Sequence, residues 1–178
     1  NDTTAFGRLH ALWTLEGLHA LKTDLIVRAL RDNVAGVREN AIKIAEAHMH
    51  NSPEVAEALL ALRNDPDVKV TYQLLCTIGS LKTDVANVLR QEILFDHVDD
   101  PWMQLAALTA PAMSANDLLR EILAGKLDPN KYRSLVERLA TLISAENQSN
   151  EIASLITAAT APGSSAVHVT ILDGLSGG

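Results

Sequence analysis

An internal recurrence constrains this chain more than any other feature. The segments Gly7-Arg8-Leu9-His10-Ala11-Leu12, Val37-Arg38-Glu39-Asn40-Ala41-Ile42, Val68-Lys69-Val70-Thr71-Tyr72-Gln73 and Trp102-Met103-Gln104-Leu105-Ala106-Ala107 align at spacings of 30, 31 and 34 residues. Weaker copies begin at Tyr132 and Val167, a further 30 and 35 residues on. A period of roughly 20–50 residues marks supersecondary units that cannot bury their apolar face alone and must stack on one another. Apolar residues recur at three- and four-residue steps: Leu25, Ala29 and Leu30; Ala41, Ile44 and Ala45; Val55, Leu59 and Leu62; Leu135, Leu139 and Leu142. No stretch alternates with period two, so each unit is a pair of helices and not a pair of strands.

Each unit has a consistent local logic. A first helix ends in a polar turn, such as Arg31-Asp32-Asn33 or Arg63-Asn64-Asp65-Pro66-Asp67, and a second helix follows with an apolar residue and a base, Val37-Arg38 or Val68-Lys69. The acidic turn sits where a helix N-terminus favours negative charge. The base that follows can pair with acids of its own or the adjacent turn, which predicts a ladder of ion pairs. Ser52-Pro53, Asp100-Pro101 and Asp128-Pro129 place a capping side chain before a proline at the first helical position, and Thr23, Thr83, Asn116 and Ser149 are further candidate caps. Pro111 is expected to kink or end the helix it falls in. Ala161-Pro162-Gly163-Ser164-Ser165 breaks the pattern before a last helix. The fold class is therefore all-α: a HEAT-like α-α superhelix, a right-handed solenoid of about five to six antiparallel helix pairs, forming one domain over residues 1–178.

Composition agrees with helices. Hydrophobic residues make up 47% of the chain but aromatic ones only 3%, so the core rests on Ala, Leu, Ile and Val. The net charge of −7 is unevenly spread, with 10 basic and 11 acidic residues in 1–90 against 5 and 11 in 91–178. Binding nucleic acid needs a basic face that neutralises phosphates, so no nucleic-acid partner is expected. No apolar run approaches the roughly 20 residues of a membrane span, and no membrane insertion is expected. The chain opens Asn1-Asp2-Thr3-Thr4 without an initiator Met and closes Gly174-Leu175-Ser176-Gly177-Gly178. Both ends read as cuts from a larger multidomain protein.

Site chemistry is sparse. Cys76 is the single cysteine and sits in an apolar helical run, where a buried small hydrophobe is the expectation. His48 and His50 lie two apart and point to different helix faces, and cation–dipole contact at a helix C-terminus is their simplest use. No metal-binding, phosphate-cradling or nucleophile-elbow motif occurs, so no catalytic, cofactor-binding or metal residue is assigned. Trp102 and Tyr72 occupy positions aligned with core-facing residues and are expected to pack inside. The most distinctive cluster is Arg8, His10, Trp13, Glu16 and Gly17. His10, Trp13 and Gly17 share a face at i, i+3 and i+7, with Gly17 permitting close approach of another element. The simpler role for Trp13 is to cover the core of the first unit; the functional role is a docking face for a neighbouring domain or ligand.

The run Gly7-Arg8-Leu9-His10-Ala11-Leu12-Trp13-Thr14-Leu15-Glu16-Gly17-Leu18, with Val37-Arg38-Glu39-Asn40-Ala41 and Ile171-Leu172-Asp173-Gly174-Leu175, resembles the HEAT-like block of a bacterial family. Its members are large exported proteins described as membrane-bound dehydrogenases with a haem-binding domain. In them a β-propeller precedes the helical block and a c-type cytochrome domain follows. The resemblance implies a non-catalytic scaffold between an oxidising domain and an electron acceptor, in an exported or periplasmic setting. Its partners would be neighbouring domains of the parent chain or another protein. The Cys-x-x-Cys-His haem attachment sequence is absent, so no cofactor is expected in this segment. Two other functions share the repeat pattern: a HEAT-like DNA-glycosylase-type nucleic-acid module and a bilin-lyase-like protein. Isolated terminal helices, uncovered by neighbours, are also expected to promote self-association.

Overall fold

A computed structural model describes residues 4–109, 114–124, 129–146, 149–159 and 165–177. Among them are eleven α-helices and no strand: α1 (Ala5–Gly17), α2 (Thr23–Leu30), α3 (Ala35–His48), α4 (Pro53–Leu60, extended by a 3-10 turn Ala61–Asn64), α5 (Val68–Ile78), α6 (Asp84–Asp96), α7 (Pro101–Leu108), α8 (Ala115–Ala124), α9 (Pro129–Ala145), α10 (Ser149–Ala159) and α11 (Ser165–Gly177). The chain is all-α. The six recurrent sequence segments fall on the odd-numbered helices. Pro111, Asp128 and residues 161–164 of the expected break lie outside the described residues.

Chain contacts divide the molecule into two compact units, Asn1–Asp96 with Leu105–Ala112, and His97–Gln104 with Met113–Gly178. In the first unit α3 packs on both α1 and α5, while α2 packs on α4. The two rows are joined where α2 meets α3, α3 meets α4, α4 meets α5 and α5 meets α6. The core between the rows is aliphatic: Ile26, Leu30, Ile42, Ile44, Leu59, Leu74, Leu75, Ile78 and Leu94 are each at most 2% exposed. In the second unit α9 is central, packing on α8, α10 and most extensively on α11. Gly174 of α11 explains how closely those two helices approach. A Cβ there would lie 2.6 Å from the Glu137 carbonyl oxygen and 2.7 Å from the Ala140 Cβ, so only glycine fits.

Helix starts follow the chemistry of caps, with corrections. Asp100 accepts from the N–H groups of Trp102 and Met103 at 2.8 and 3.3 Å, and the Thr83 hydroxyl accepts from Ala86 at 3.3 Å. Ser52 does hold the position before Pro53, but its hydroxyl donates to the Glu54 carboxylate at 2.9 Å and caps nothing. Thr23 is the first helical residue, with Lys22 before it. Asn116 lies inside α8; Ser114, whose hydroxyl accepts from Asp117 at 3.4 Å, takes the capping role. Ser149 is likewise the first residue of α10. Thr4 caps α1 by accepting from the Gly7 N–H at 3.1 Å. His19 closes α1 in the left-handed region at φ 54°, the conformation that usually ends a helix on glycine.

One backbone contact recurs, in a register that differs from the alignment of apolar residues. Three side chains bond to the carbonyl six residues before them: Arg38 to Asp32 at 2.8 Å, Thr71 to Asp65 at 3.4 Å and Gln104 to Val98 at 2.6 Å. These positions are 33 residues apart, so Val37 corresponds to Val70 and Met103, which are 2%, 0% and 1% exposed. Val68 and Trp102, aligned with Val37 by sequence, are 54% and 66% exposed. Trp102 therefore lies outside the core, contrary to expectation, and Tyr72 is only half-buried. Leu142 at 39% and the half-buried Leu25 also stand off the expected apolar stripes.

Candidate functional site

The candidate cluster on α1 resolves into three cross-links. Arg8 meets Asp32, in the turn before α3, with two 2.7 Å hydrogen bonds from Nε and Nη2. The Trp13 indole N–H donates to the Asn40 side-chain oxygen at 3.0 Å. Glu16 and the His48 Nε2 lie 2.9 Å apart. Each partner sits on α3 or its leading turn, so Arg8, Trp13 and Glu16 fasten α1 to its neighbour along most of its length. His10 and Gly17 point to solvent. A Cβ on Gly17 would meet nothing within 4 Å, so no element makes use of the close approach that glycine allows there. Trp13 is 44% exposed and does not cover a core; its ring spans the α1–α3 seam.

The Arg8–Asp32 contact is the first rung of the expected ladder. Arg38 repeats it one turn further on, holding Asp65 through two hydrogen bonds of 2.7 and 2.8 Å. Both acids also accept from the backbone two residues on, Asp32 from Val34 and Asp65 from Asp67, which closes the turn before each helix. The Arg8 hydrogen bond holds the Asp32 carboxyl below the usual carboxylate range against the opposing effect of burial. Burial pushes Asp65 upward, but Arg38 and the Asp67 N–H outweigh it and leave that carboxyl lowered. The same hydrogen bond raises Arg38. The Arg–Asp rungs stop there because Thr71 replaces the next arginine in register and Val98 the next aspartate, and the exposed Arg63–Glu92 pair forms a rung of a different kind. Lys69, the expected third base, is exposed.

Beside this ladder lies an open groove of about 550 Å³ between α1, α2 and the start of α3. Ala11, Leu12 and Leu15 form its α1 wall and Leu25 and Ala29 its α2 wall, with Arg8, Arg28 and Asp32 along the edge. The volume falls within the range of ligand pockets. Sequence reasoning missed this groove. Its α2 side chains, Leu25 and Ala29, lie 10 or more residues from the groove's α1 wall at Ala11, Leu12 and Leu15, and only packing brings them together.

No family model, curated protein or solved structure matches the chain. The site therefore rests on its own geometry.

Two further residues stand out, Cys76 against expectation and Arg90 by its burial. Cys76 is exposed, not buried. Local desolvation still pushes its thiol upward, against a hydrogen bond with Tyr72 that lowers it, and Glu46 adds to the upward effect. Arg90 is 0% exposed, on the face of α6 that also buries Ala86, Leu89, Ile93 and Leu94. Its Nη2 donates to the Ala107 carbonyl near the C-terminus of α7, where a cation suits the helix dipole, and desolvation lowers its pKa. The signal was present in the sequence: Arg90 lies four residues after Ala86 and three before Ile93, on the apolar stripe itself. Among the described residues no group of three or more His, Cys, Asp or Glu is placed to hold a metal ion. None of the described helices is long and apolar enough to cross a membrane.

Proposed function

We propose that this chain is a non-catalytic HEAT-like helical scaffold that docks neighbouring domains, within an exported bacterial redox protein of the dehydrogenase–cytochrome type. The observation that carries the reading is the bond from residue i to the carbonyl at i−6, recurring at Arg38, Thr71 and Gln104. A contact repeated at a 33-residue interval supports the reading that successive helix pairs are built alike. Like units stacked by their faces leave long helical surfaces available to partners. The acidic balance and the internal use of Arg8 and Arg38 favour a protein partner over nucleic acid. The redox setting rests on the sequence resemblance alone.

The test starts with the complete reading frame around this segment. A propeller upstream and a Cys-x-x-Cys-His sequence downstream are expected. Each flanking domain, produced separately, should then form a complex with the chain in size-exclusion chromatography. Neither domain binding, or turnover of a sugar or DNA substrate by the isolated chain, would overturn the reading.

A further inference from the structure

Asp32 is gripped from two sides. Its carboxylate accepts two 2.7 Å hydrogen bonds from Arg8 on α1, and its carbonyl accepts one of 2.8 Å from the Arg38 Nη1 on α3. Arg8 also donates to the Asn33 side chain at 3.3 Å, and the Val34 N–H donates to the Asp32 carboxylate at 2.9 Å, so the turn before α3 closes around these contacts. Arg38 turns its Nε and Nη2 to the Asp65 carboxylate, in the turn before α5, at 2.7 and 2.8 Å. Asp65 repeats the closure: its carboxylate accepts from the Asp67 N–H at 3.0 Å and its carbonyl from the Thr71 hydroxyl on α5 at 3.4 Å. A guanidinium is planar and stiff, so one rigid group holds the Asp32 carbonyl and the Asp65 carboxylate at a fixed separation. Displacing either turn must move that group or break one of its bonds. The Arg38 and Asp65 side chains are 12% and 3% exposed, which leaves little room for water to replace a lost partner.

The charges follow the same route. The Arg8 hydrogen bond has the largest influence on Asp32, and the Arg38 charge acts in the same direction. The Asp65 hydrogen bond has the largest influence on Arg38, and the Asp32 charge again acts with it. We propose that Arg8, Asp32, Arg38 and Asp65 form a mechanical relay across α3, through which the fastening of α1 controls how tightly the turn before α5 is held. By this route α1, α3 and α5 loosen together and not one by one. The relay ends at α5, where Thr71 stands in the place of an arginine. Trp13–Asn40 and Glu16–His48 join α1 to the body of α3, beyond the turn, and lie off this route. The inference concerns the chain's own motion and stands without the scaffold reading.

The test reads the Arg38 Nε–H by NMR in the full chain. Exchange of that proton with water requires its bond to open, so the rate reports how often Arg38 lets go of Asp65. In Arg8→Ala it should exchange at least about fivefold faster. Trp13→Phe removes the indole bond to Asn40, loosening α1 from α3 without touching Asp32, and should leave the Arg38 rate unchanged. Arg63→Ala, which breaks an exposed pair off the relay, should leave it unchanged too. Coupling between sites is reciprocal, so Asp65→Asn should speed exchange at the Arg8 Nε–H. Unfolding midpoints give a second reading. Arg8→Ala and Asp65→Asn together should cost less than the sum of their separate losses, since the first break already opens the route that the second would cut. Arg8→Lys keeps a charge beside Asp32 but loses the paired bonds; it serves if Arg8→Ala folds poorly and should speed exchange in the same direction. An Arg38 Nε–H that exchanges alike in the wild type, Arg8→Ala and Arg8→Lys would overturn the proposal. So would a Trp13→Phe effect as large as that of Arg8→Ala, because α1 would then act through general loosening of α3. Strict additivity of the two losses would overturn it as well.

Discussion

The two compact units hold their helices together by different physics. In the first, neighbouring helices are tied by polar side chains of long reach: ion pairs join Arg8 to Asp32, Arg38 to Asp65 and Arg63 to Glu92, and a hydrogen bond joins His48 and Glu16. In the second, α9 and α11 meet through short side chains and backbone. The Thr141 and Ser144 hydroxyls donate to the Gly174 and Leu175 carbonyls at 3.2 Å, and Gly174 lets the two helices approach within van der Waals contact of backbone. An ion-pair seam tolerates changes of volume but depends on pH and salt. A close-packed seam ignores pH and is intolerant of a single added methylene.

That contrast can be broken by substitution. The largest effect is expected at Gly174→Leu, which drives a side chain into the Glu137 carbonyl. Overpacking against backbone should cost about 3 kcal/mol, read as faster amide exchange across α9 and α11. Exchange unchanged in that pair would show that the seam is looser than its distances imply.

Arg38→Ala comes next. It leaves Asp65, whose side chain is 3% exposed, without its cation. The expected loss is about 2 kcal/mol, below that of a wholly buried pair because Arg38 keeps 12% exposure. Denaturant unfolding of the variant, with Asp65→Asn for comparison, checks it. If the single and double variants lose equal stability, the pair is confirmed as the source.

Acid sharpens the comparison. Asp32 and Asp65 titrate lower in the folded chain than an unfolded aspartate at about 3.9. Their stabilisation is therefore complete above that value and is lost as the pH falls through their lowered folded values. Amide exchange, corrected for intrinsic rate, should accelerate in α1 and α3 below about pH 4. The α9–α11 contacts made by Thr141, Ser144 and Gly174 contain no ionisable partner and should not respond through these groups.

The smallest effects belong to the exposed rungs. Arg8→Ala should cost about 1 kcal/mol, since its side chain is 32% exposed. Arg63→Ala, whose pair is 52% and 45% exposed, should leave the midpoint of unfolding unchanged at 0.5 M salt. A loss at Arg63 as large as at Arg38 would mean that burial is not what grades the ladder.

Much of this organisation was legible in the primary structure. The helix class, the alternation of helices, the starts at Pro53, Pro101 and Pro129 and the pairing of a base with the adjacent acidic turn all follow from local signals within about one helical turn. The cluster Arg8, Trp13 and Glu16 was also visible as distinctive, but its role was not. Whether a polar residue on a helix faces a partner protein or the next helix of its own chain depends on residues 24, 27 and 32 positions away, at Asp32, Asn40 and His48.

The tertiary structure alone decided register, coverage and the groove. Matching apolar residues next to a base aligned Val68 and Trp102 with Val37. Stacking chose Val70 and Met103 instead, because the turns differ in length and the bond to the carbonyl six residues back sets the true phase. It also turned Cys76 outward and drew Arg90 inward, since an α-helix fixes which residues share a face but not which face meets a neighbour. The sequence by itself determined that this chain is a series of paired helices with acidic turns between them. Only the packing determined that Val70 and Met103 are buried while Val68 and Trp102 are exposed, because burial belongs to the neighbour that a helix face meets and is written in no residue of the helix itself.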